Sequence, residues 1–144
     1  METNQPVSIT IEQTVNAAAE KIWELWTGTA HITKWNAASD DWHTTSAEND
    51  LRPGGKFSSR MEAKDGSMGF DFWGIYDEVK PYELITYTMG DGRKARIVFG
   101  ADGETTNVTI TFDAENQNPV EMQRGGWQAI LDNFKKYAEG KSSR

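Results

Sequence analysis

The side chains best suited to metal binding are few and widely spaced in this sequence. The two histidines, His31 and His43, are too far apart to form a His-x-x-x-His pair, so a metal site would need both of them plus carboxylates such as Asp40 or Asp41. Paired imidazoles on one helical face are the usual signal for a bound transition metal. We therefore expect no metal site and assign both histidines to solvated or helix-capping roles.

Two adjacent serines, Ser58 and Ser59, are candidates for nucleophilic catalysis. Neither lies in a Gly-x-Ser-x-Gly turn, which exposes a nucleophilic serine at the end of a strand. Strand alternation also puts Ser58 and Arg60 on the face opposite to Phe57 and Met61. The sequence therefore predicts no catalytic triad.

Carboxylates and a tyrosine could carry general acid–base chemistry. Asp40 and Asp41 are adjacent, and Asp71 lies five residues before Tyr76. Carboxylates of small domains are mostly solvated at the surface, which is the role we expect for these. The glycine pairs at 54–55 and 125–126 match no phosphate-binding loop. We therefore predict no catalytic residue and no cofactor, and favour a non-enzymatic role.

Hydrophobic periodicity indicates which elements carry these residues. Period-two alternation predicts a strand over 7–15, and helical spacing predicts helices over 17–27, with Asn16 as N-cap, and from 29 or 30 to 35. Turn residues, three of them Asp-Gly pairs, then separate six further strands. These strands are predicted over 41–47, 56–64, 67–79, 83–89, 94–100 and 105–113. A long helix is predicted over 119–139.

Two of these elements have unusual patterns. The strand over 67–79 has aromatic residues at both odd and even positions, so we expect it to be covered on both faces or bulged near Gly74. Gly125 and Gly126 fall near the start of the last helix, which indicates either a kink or a close approach of its backbone to the sheet, and we favour the close approach. The apolar stripe predicted on that helix comprises Met122, Trp127, Ile130, Leu131, Phe134 and Ala138.

Length and charge exclude several classes of partner. The 144 residues fit one domain, expected to span 1–144 with a core at about 7–138 and tails at 1–5 and 140–144. There are 15 Lys and Arg against 22 Asp and Glu, and the net charge of −7 disfavours nucleic acid and anionic membranes. The sequence has no cysteine, no leader-like N-terminus and no apolar run of the ~20 residues that a bilayer span needs. We therefore expect a cytoplasmic protein that does not insert into membranes.

Five short signatures, in order along the chain, carry a family resemblance. They are Ala19–Trp23, Trp35, Leu51-Arg52-Pro53-Gly54-Gly55, Gly74 with Val79–Tyr87, and Gly126-Trp127. With these signatures the chain resembles the activator of heat-shock protein 90 ATPase homologue-like family of the START-like, helix-grip superfamily, over about residues 7–138. The resemblance implies an α+β fold. In this fold two short helices follow the first strand, and a curved antiparallel sheet of about seven strands wraps around a long C-terminal helix.

Two departures from the family pattern bear on what can be carried over. The family usually has proline before its first helix, where this chain has Ala17–Ala19. The eukaryotic co-chaperone also has an additional N-terminal domain, which these residues do not resemble. We therefore do not expect chaperone activation from the family name.

The resemblance further implies a cavity between the sheet and the long helix, which in relatives of the superfamily accepts apolar molecules. Sixteen aromatic residues, six of them Trp, are compatible with such a cavity, although aromatic side chains also simply fill cores. Strand parity and the helical stripe select the residues expected to line it and bind the ligand. These are Trp42, Phe57, Met61, Phe72, Tyr87, Trp127 and Leu131.

Three functions remain open at this point. The first is a non-catalytic domain that binds a small hydrophobic or amphipathic ligand in this cavity. The second is an enzyme of the polyketide cyclase or aromatase type, which would use Asp71 and Tyr76 in the same cavity. The third is a stress-related protein-interaction module, with a protein partner bound through exposed aromatic residues such as Trp42 or Trp73.

Overall fold

A computed structural model describes residues 7–37, 41–115 and 118–142 and confirms the predicted α+β architecture. The observed bounds lie within about two residues of the predicted ones for every element except the last helix, which continues three residues further. The elements are β1 (Ser8–Val15), α1 (Ala19–Thr27), α2 (Thr29–Trp35), β2 (Trp42–Asn49), β3 (Lys56–Ala63), β4 (Gly69–Lys80), β5 (Leu84–Met89), β6 (Lys94–Asp102), β7 (Thr105–Asp113) and α3 (Val120–Ser142).

The seven strands form one antiparallel sheet in the order β1-β7-β6-β5-β4-β3-β2. Consecutive strands from β2 to β7 are neighbours, so this part of the sheet is a meander of hairpins. The first strand joins the far edge beside β7. Helices α1 and α2 therefore connect the two opposite edges of the sheet.

Glycines in the left-handed conformation allow the chain to reverse between strands. Gly66, Gly92 and Gly103, each preceded by Asp, have φ between 65° and 93°. Before β3, Gly54 has φ of 85°, and its N–H donates to the carbonyl of Tyr76. The turn that introduces β3 is thereby tied to the middle of β4.

Helix α3 packs mainly across β1 and buries one face against the sheet. Leu131, Phe134 and Ala138, spaced by three and four residues, have no exposed surface. The ring of Phe134 lies edge-on to Trp26 at 4.8 Å and to Trp35 at 4.9 Å, which joins α3 to the two short helices. Although α3 is long, no helix in the described part of the chain is apolar enough to cross a membrane.

The start of α1 differs from its prediction. Asn16 does not cap this helix, because the helix begins at Ala19 with Ala18 as its N-cap, and Ala18 makes no capping bond from its side chain. The backbone N–H of Asn16 instead donates to the Glu139 carboxylate on α3, at 2.9 Å. This residue therefore links the end of β1 to the last helix.

The start of α3 also differs from its prediction. Met122 is 62% exposed and does not belong to the buried stripe. The predicted close approach at Gly125 and Gly126 is wrong, because a Cβ at either position would meet no atom within 4 Å. A continuous helix passes through both glycines, which leaves open space beside them.

The irregularity predicted in β4 occurs three residues beyond Gly74. The pairing of β4 with β5 shifts between Tyr76 and Glu78, so Asp77 is the bulged residue. Gly74 itself is paired in register with Met89. The bulge puts Tyr76 and Val79 on the same face, although they are three residues apart.

Candidate functional site

A pocket of about 440 Å³ lies between the concave face of the sheet and helices α2 and α3. It forms because α3 packs mainly on β1, at one edge of the sheet, and does not cover β3, β4 and β5 to the same extent. All seven residues predicted from strand parity and the helical stripe lie on its wall. Their contact with a ligand stays a prediction.

Three aromatic side chains on neighbouring strands form the sheet side of the pocket. The ring of Phe57 lies 4.7 Å from that of Tyr87 and 5.2 Å from that of Tyr76, measured between centroids. Gly74 allows this arrangement, because a Cβ at that position would come within 2.9 Å of the Phe57 ring and 2.7 Å of the Thr88 carbonyl oxygen. The glycine signature that supported the family resemblance therefore has a packing role at the base of the pocket.

The helix side of the pocket is formed by residues of α3. Trp127 stacks on Phe112 of β7, with centroids 3.8 Å apart, and lies edge-on to Phe72 of β4 at 6.3 Å. Leu131, one turn further along, is fully buried. Gly126 is also on this wall and has no side chain to fill the space before it.

The wall continues toward the edge of the sheet through Trp42, Met61 and Phe70. Trp42 and Phe70 contact each other edge-on at 5.9 Å, and Phe70 is 48% exposed. Met61 lies opposite Phe70 across the β3–β4 pair and is buried. This end of the pocket is therefore apolar and partly open to solvent.

Few polar groups interrupt the wall, and one pair of them is satisfied within the protein. The Tyr76 hydroxyl donates to Asn49 Oδ1 at 2.5 Å, and Asn49 Nδ2 donates to the carbonyl of Thr27 at 2.7 Å. Burial raises the pKa values of Tyr76 and Tyr87, so both phenols stay protonated at neutral pH. The tyrosines therefore present neutral hydroxyls.

Arg93 is a wall residue that the sequence reasoning missed. Its Nε donates to Asp91 Oδ2 at 2.7 Å and its Nη1 to the carbonyl of Asp113 at 3.2 Å. Partial burial opposes ionisation of Asp91, yet the hydrogen bonds from Arg93 hold the pKa of that carboxyl below its ordinary value. The alternation Arg93-x-Ala95-x-Ile97 was the available signal, because it places an arginine in register with core residues.

The residues considered for catalysis are not brought together. Asp71 is exposed on the outer face of β4 and contacts Arg60 at 3.5 Å, whereas Tyr76 faces the pocket. His31 Nδ1 lies 2.7 Å from the Tyr137 hydroxyl, and His43 is exposed. Within the described ranges, no group of three His, Asp or Glu side chains is arranged to hold a metal ion.

The remaining catalytic candidates are the adjacent aspartates and the two serines of β3. Asp40 lies outside the described residues, and its neighbour Asp41 is exposed. Ser59 is buried on the pocket wall, and Ser58 lies on the opposite face of β3, as alternation predicted. Within the described part of the chain, no serine is hydrogen-bonded to a histidine that is in turn hydrogen-bonded to a carboxylate.

The two tryptophans proposed as an interaction surface lie on opposite faces of the sheet. Trp42 is half-buried on the pocket wall. Trp73 faces outward, is 39% exposed and lies beneath the Lys56 ammonium at 4.8 Å from the ring centroid. These indoles therefore do not form one continuous apolar patch.

Solved structures with the same architecture include close relatives of this chain. An AHSA1-like protein from Aeromonas hydrophila, solved by NMR, is 42% identical, with a TM-score of 0.90 and coverage of 96% of both chains. A protein from Cytophaga hutchinsonii is 55% identical, with a TM-score of 0.80 and coverage of 95% of both chains. A protein from Nitrosomonas europaea, at 17% identity and a TM-score of 0.81 over 96% of this chain and 97% of its own, shares the fold.

A family assignment follows from the sequence as well. No curated protein matches the chain. The family model described as Activator of Hsp90 ATPase homolog 1-like protein matches residues 16–139, which include α1, α2, β2 to β7 and most of α3. This chain belongs to the Activator of Hsp90 ATPase homolog 1-like family.

Proposed function

We propose that this protein is a non-catalytic cytoplasmic binding protein that holds a small apolar or amphipathic molecule between the sheet and α3. The observation that carries the proposal is the pocket of about 440 Å³. Small-molecule sites usually have volumes of roughly 300–1,000 Å³, apolar and aromatic walls and a few polar groups that fix the orientation of the ligand. The pocket agrees with each of these properties.

The composition of the wall supports an apolar ligand body. Phe57, Phe72, Tyr87 and Trp127 present ring faces and edges from both sides of the space. Aromatic rings bury large apolar areas and pack well against other flat groups. A ligand that replaced water there would gain hydrophobic free energy in proportion to the apolar area it buried.

The two alternatives have less support from the positions of their residues. A cyclase would retain Tyr76 on the wall, but Asp71 points away from it, so the proposed acid–base pair is separated by the sheet. An interaction module would use Trp42 and Trp73, which lie on opposite faces. We therefore keep ligand binding as the function of this pocket.

A pair of adjacent glycines in α3 provides a matched test. Gly126 is on the pocket wall and Gly125 is exposed, and a Cβ at either position would meet nothing within 4 Å. Gly126→Leu should fill part of the pocket without a backbone clash. Gly125→Leu adds the same side chain to the same helix outside the pocket, so it controls for changes in helix stability.

The measurement is titration with the neutral fluorescent probe N-phenyl-1-naphthylamine. We expect saturable binding to the wild type and to Gly125→Leu, and binding at least roughly tenfold weaker to Gly126→Leu, because the added side chain occupies the probe's volume. Equal affinity for all three folded proteins would place the probe elsewhere and contradict the proposal. Absence of binding to the wild type would also count against it.

A further inference from the structure

Two hydroxyl groups on the pocket wall have no hydrogen-bond partner in the described part of the chain. Tyr87 and Ser59 are 8% and 6% exposed, and both line the pocket. Within residues 7–37, 41–115 and 118–142, neither hydroxyl makes a hydrogen bond, whereas the Tyr76 hydroxyl on the same wall donates to Asn49. No fully enclosed side-chain polar atom of these residues lacks a partner, so both hydroxyl oxygens are open to the pocket space. A hydroxyl that borders an otherwise apolar pocket bonds either to water or to a polar atom of a ligand. The two hydroxyls therefore suit a ligand with polar atoms of its own.

Arg93 lines the same pocket as the Tyr87 hydroxyl and lies on the concave face. Tyr87 pairs with Ala95 across β5 and β6, and Arg93 precedes Ala95 by two residues, so its side chain emerges on the same face. Burial raises the pKa of Tyr87 and the nearby Tyr76 adds to the rise, but the positive charge of Arg93 lowers it. Tyr87 and Arg93 therefore line the pocket from the same face of the sheet.

The guanidinium is held in place but retains hydrogen-bond capacity. Asp91 anchors Nε and the carbonyl of Asp113 anchors Nη1, while Nη2 makes no hydrogen bond to any described residue. The Arg93 side chain is 24% exposed. A guanidinium can only donate, and its planar edge matches the paired oxygens of an anionic group such as a carboxylate.

The acidic residues near this position do not remove its preference for an anion. The Asp91 side chain is 54% exposed, so its ion pair with Arg93 is screened by solvent. Glu48, the acidic residue on the pocket wall, is exposed and pairs with Ser58, next to the inward-facing pair of Ala47 and Ser59. Glu48 therefore belongs to the outward-facing row of β2.

We propose that the ligand of this pocket is a carboxylic acid with an apolar body, whose carboxylate is bound by Arg93 and the Tyr87 hydroxyl. This inference rests on the proposed function, since it names the chemistry of the molecule bound in the same pocket. The apolar body lies against Trp127 and Phe57, and the acid group lies at the hairpin between β5 and β6. Fatty acids and aromatic acids share this chemistry.

The test compares an acid with its uncharged analogue. 2-Naphthylacetic acid and 2-naphthylacetamide have the same ring system and differ in the charge of the polar group, and isothermal titration calorimetry at pH 7 gives their affinities. We expect the acid to bind wild type at least roughly tenfold more tightly than the amide, as a charge-assisted hydrogen bond requires. Decanoate and decanamide, measured in the same way, decide between a fatty and an aromatic body.

Variants then locate the source of the preference. Arg93→Gln should reduce the ratio of acid affinity to amide affinity below about threefold, because the glutamine keeps a donor but loses the charge. Arg96→Gln is the matched control, since Arg96 lies three residues further along in β6, is exposed and faces outward, so the preference should persist. Tyr87→Phe removes only the hydroxyl, so it should weaken binding of the acid several-fold and binding of the amide less. This variant tests the site even if Arg93→Gln fails to fold.

The outcomes separate this inference from the proposed function. If the acid and the amide, in both series, bind wild type equally well, the inference is wrong and the pocket is still a binding site. If Arg93→Gln and Arg96→Gln lower acid affinity by the same factor, general surface charge explains the preference and the inference is wrong. If no acid or amide binds although N-phenyl-1-naphthylamine does, the inference is overturned alone. If that neutral probe fails as well, both are overturned.

Discussion

Trp127 of α3 lies flat on Phe112 of β7, with 3.8 Å between the ring centroids and 8° between the ring planes. This contact attaches the first half of α3 to the sheet, while Phe134 attaches the second half to α1 and α2. The same indole lies on the pocket wall. One side chain therefore both holds the helix in place and borders the space beneath it.

Removal of this indole should destabilise the fold. We expect Trp127→Ala to lower the free energy of unfolding by about 3 kcal/mol, near the low end for buried Trp, because the side chain already borders open space. Urea denaturation measures the change. The control is Trp73→Ala, which removes a partly exposed indole from the outer face and should cost about 1 kcal/mol or less. Unfolding of Trp127→Ala at the wild-type urea concentration would disprove the anchoring role.

Single methyl groups at three glycines should have opposite effects on stability. Gly125→Ala and Gly126→Ala should each stabilise the protein by about 0.5–1 kcal/mol, because both lie in a helix and the added Cβ meets nothing within 4 Å. Gly74→Ala should destabilise it, because its Cβ would approach the Thr88 carbonyl oxygen to 2.7 Å and the Phe57 ring to 2.9 Å. Thermal unfolding of the three variants provides the comparison. A destabilised Gly126→Ala would show that the backbone of α3 contacts the sheet at this position.

The hydrogen bonds through Asn49 connect the pocket to α1. Asn49→Ala should cost about 1–3 kcal/mol, because it leaves the Tyr76 hydroxyl and the Thr27 carbonyl without this partner. Tyr76→Phe should cost about 1 kcal/mol, because it removes the same hydrogen bond to Asn49. A double-mutant cycle measured by urea denaturation should give a coupling energy between the two residues, since they share one hydrogen bond. Strictly additive effects would mean that this bond contributes nothing.

Glu139 should make stability depend on pH in the acid range. Two hydrogen bonds hold the pKa of its carboxyl below the ordinary value. The larger effect comes from Lys135 Nζ and the smaller from the backbone N–H of Asn16. Because the pKa of Glu139 is lower in the folded state than its unfolded value of ~4.3, the ionised carboxylate stabilises the fold, and this stabilisation is fully present above the unfolded pKa. The stabilisation is lost as the pH falls from the unfolded pKa through the folded pKa.

The corresponding variant is Glu139→Gln. We expect it to lower stability at pH 7 by about 0.5 kcal/mol, because a pair that is a third exposed is screened by solvent. The difference from wild type should shrink as the pH is lowered toward 3. Glu121→Gln, at an 83% exposed side chain, is the control and should stay close to wild type throughout. A deficit of the same size at pH 7 and pH 3 would rule out ionisation as its cause.

Local signals in the sequence were sufficient for most of the fold. Alternation and the Asp-Gly turns depend on neighbouring residues only, so the strands and the meander could be predicted from them. The position of the bulge at Asp77 could not, because it depends on how β4 pairs with β5. The failure of Asn16 as a cap has a similar cause, since its backbone N–H is bonded to Glu139, 123 residues away.

The candidate site could be predicted in part for the same reason. Parity was sufficient to place Phe57, Phe72 and Tyr87 on the concave face. It did not indicate where α3 crosses the sheet, so Gly126 was expected to contact the sheet and in fact borders the pocket. Arg93 was missed because a charged residue at a hairpin is usually solvated, although its alternation with Ala95 pointed inward.

The most direct test of ligand binding is native mass spectrometry of the protein purified from its own host, compared with a denatured sample. We predict a discrete additional mass on the native wild type and on Gly125→Leu that is lost on denaturation, and little or none on Gly126→Leu. An acidic compound in the released fraction would agree with the role of Arg93. The bare-chain mass for native wild type, or the same additional mass on Gly126→Leu, would contradict the account.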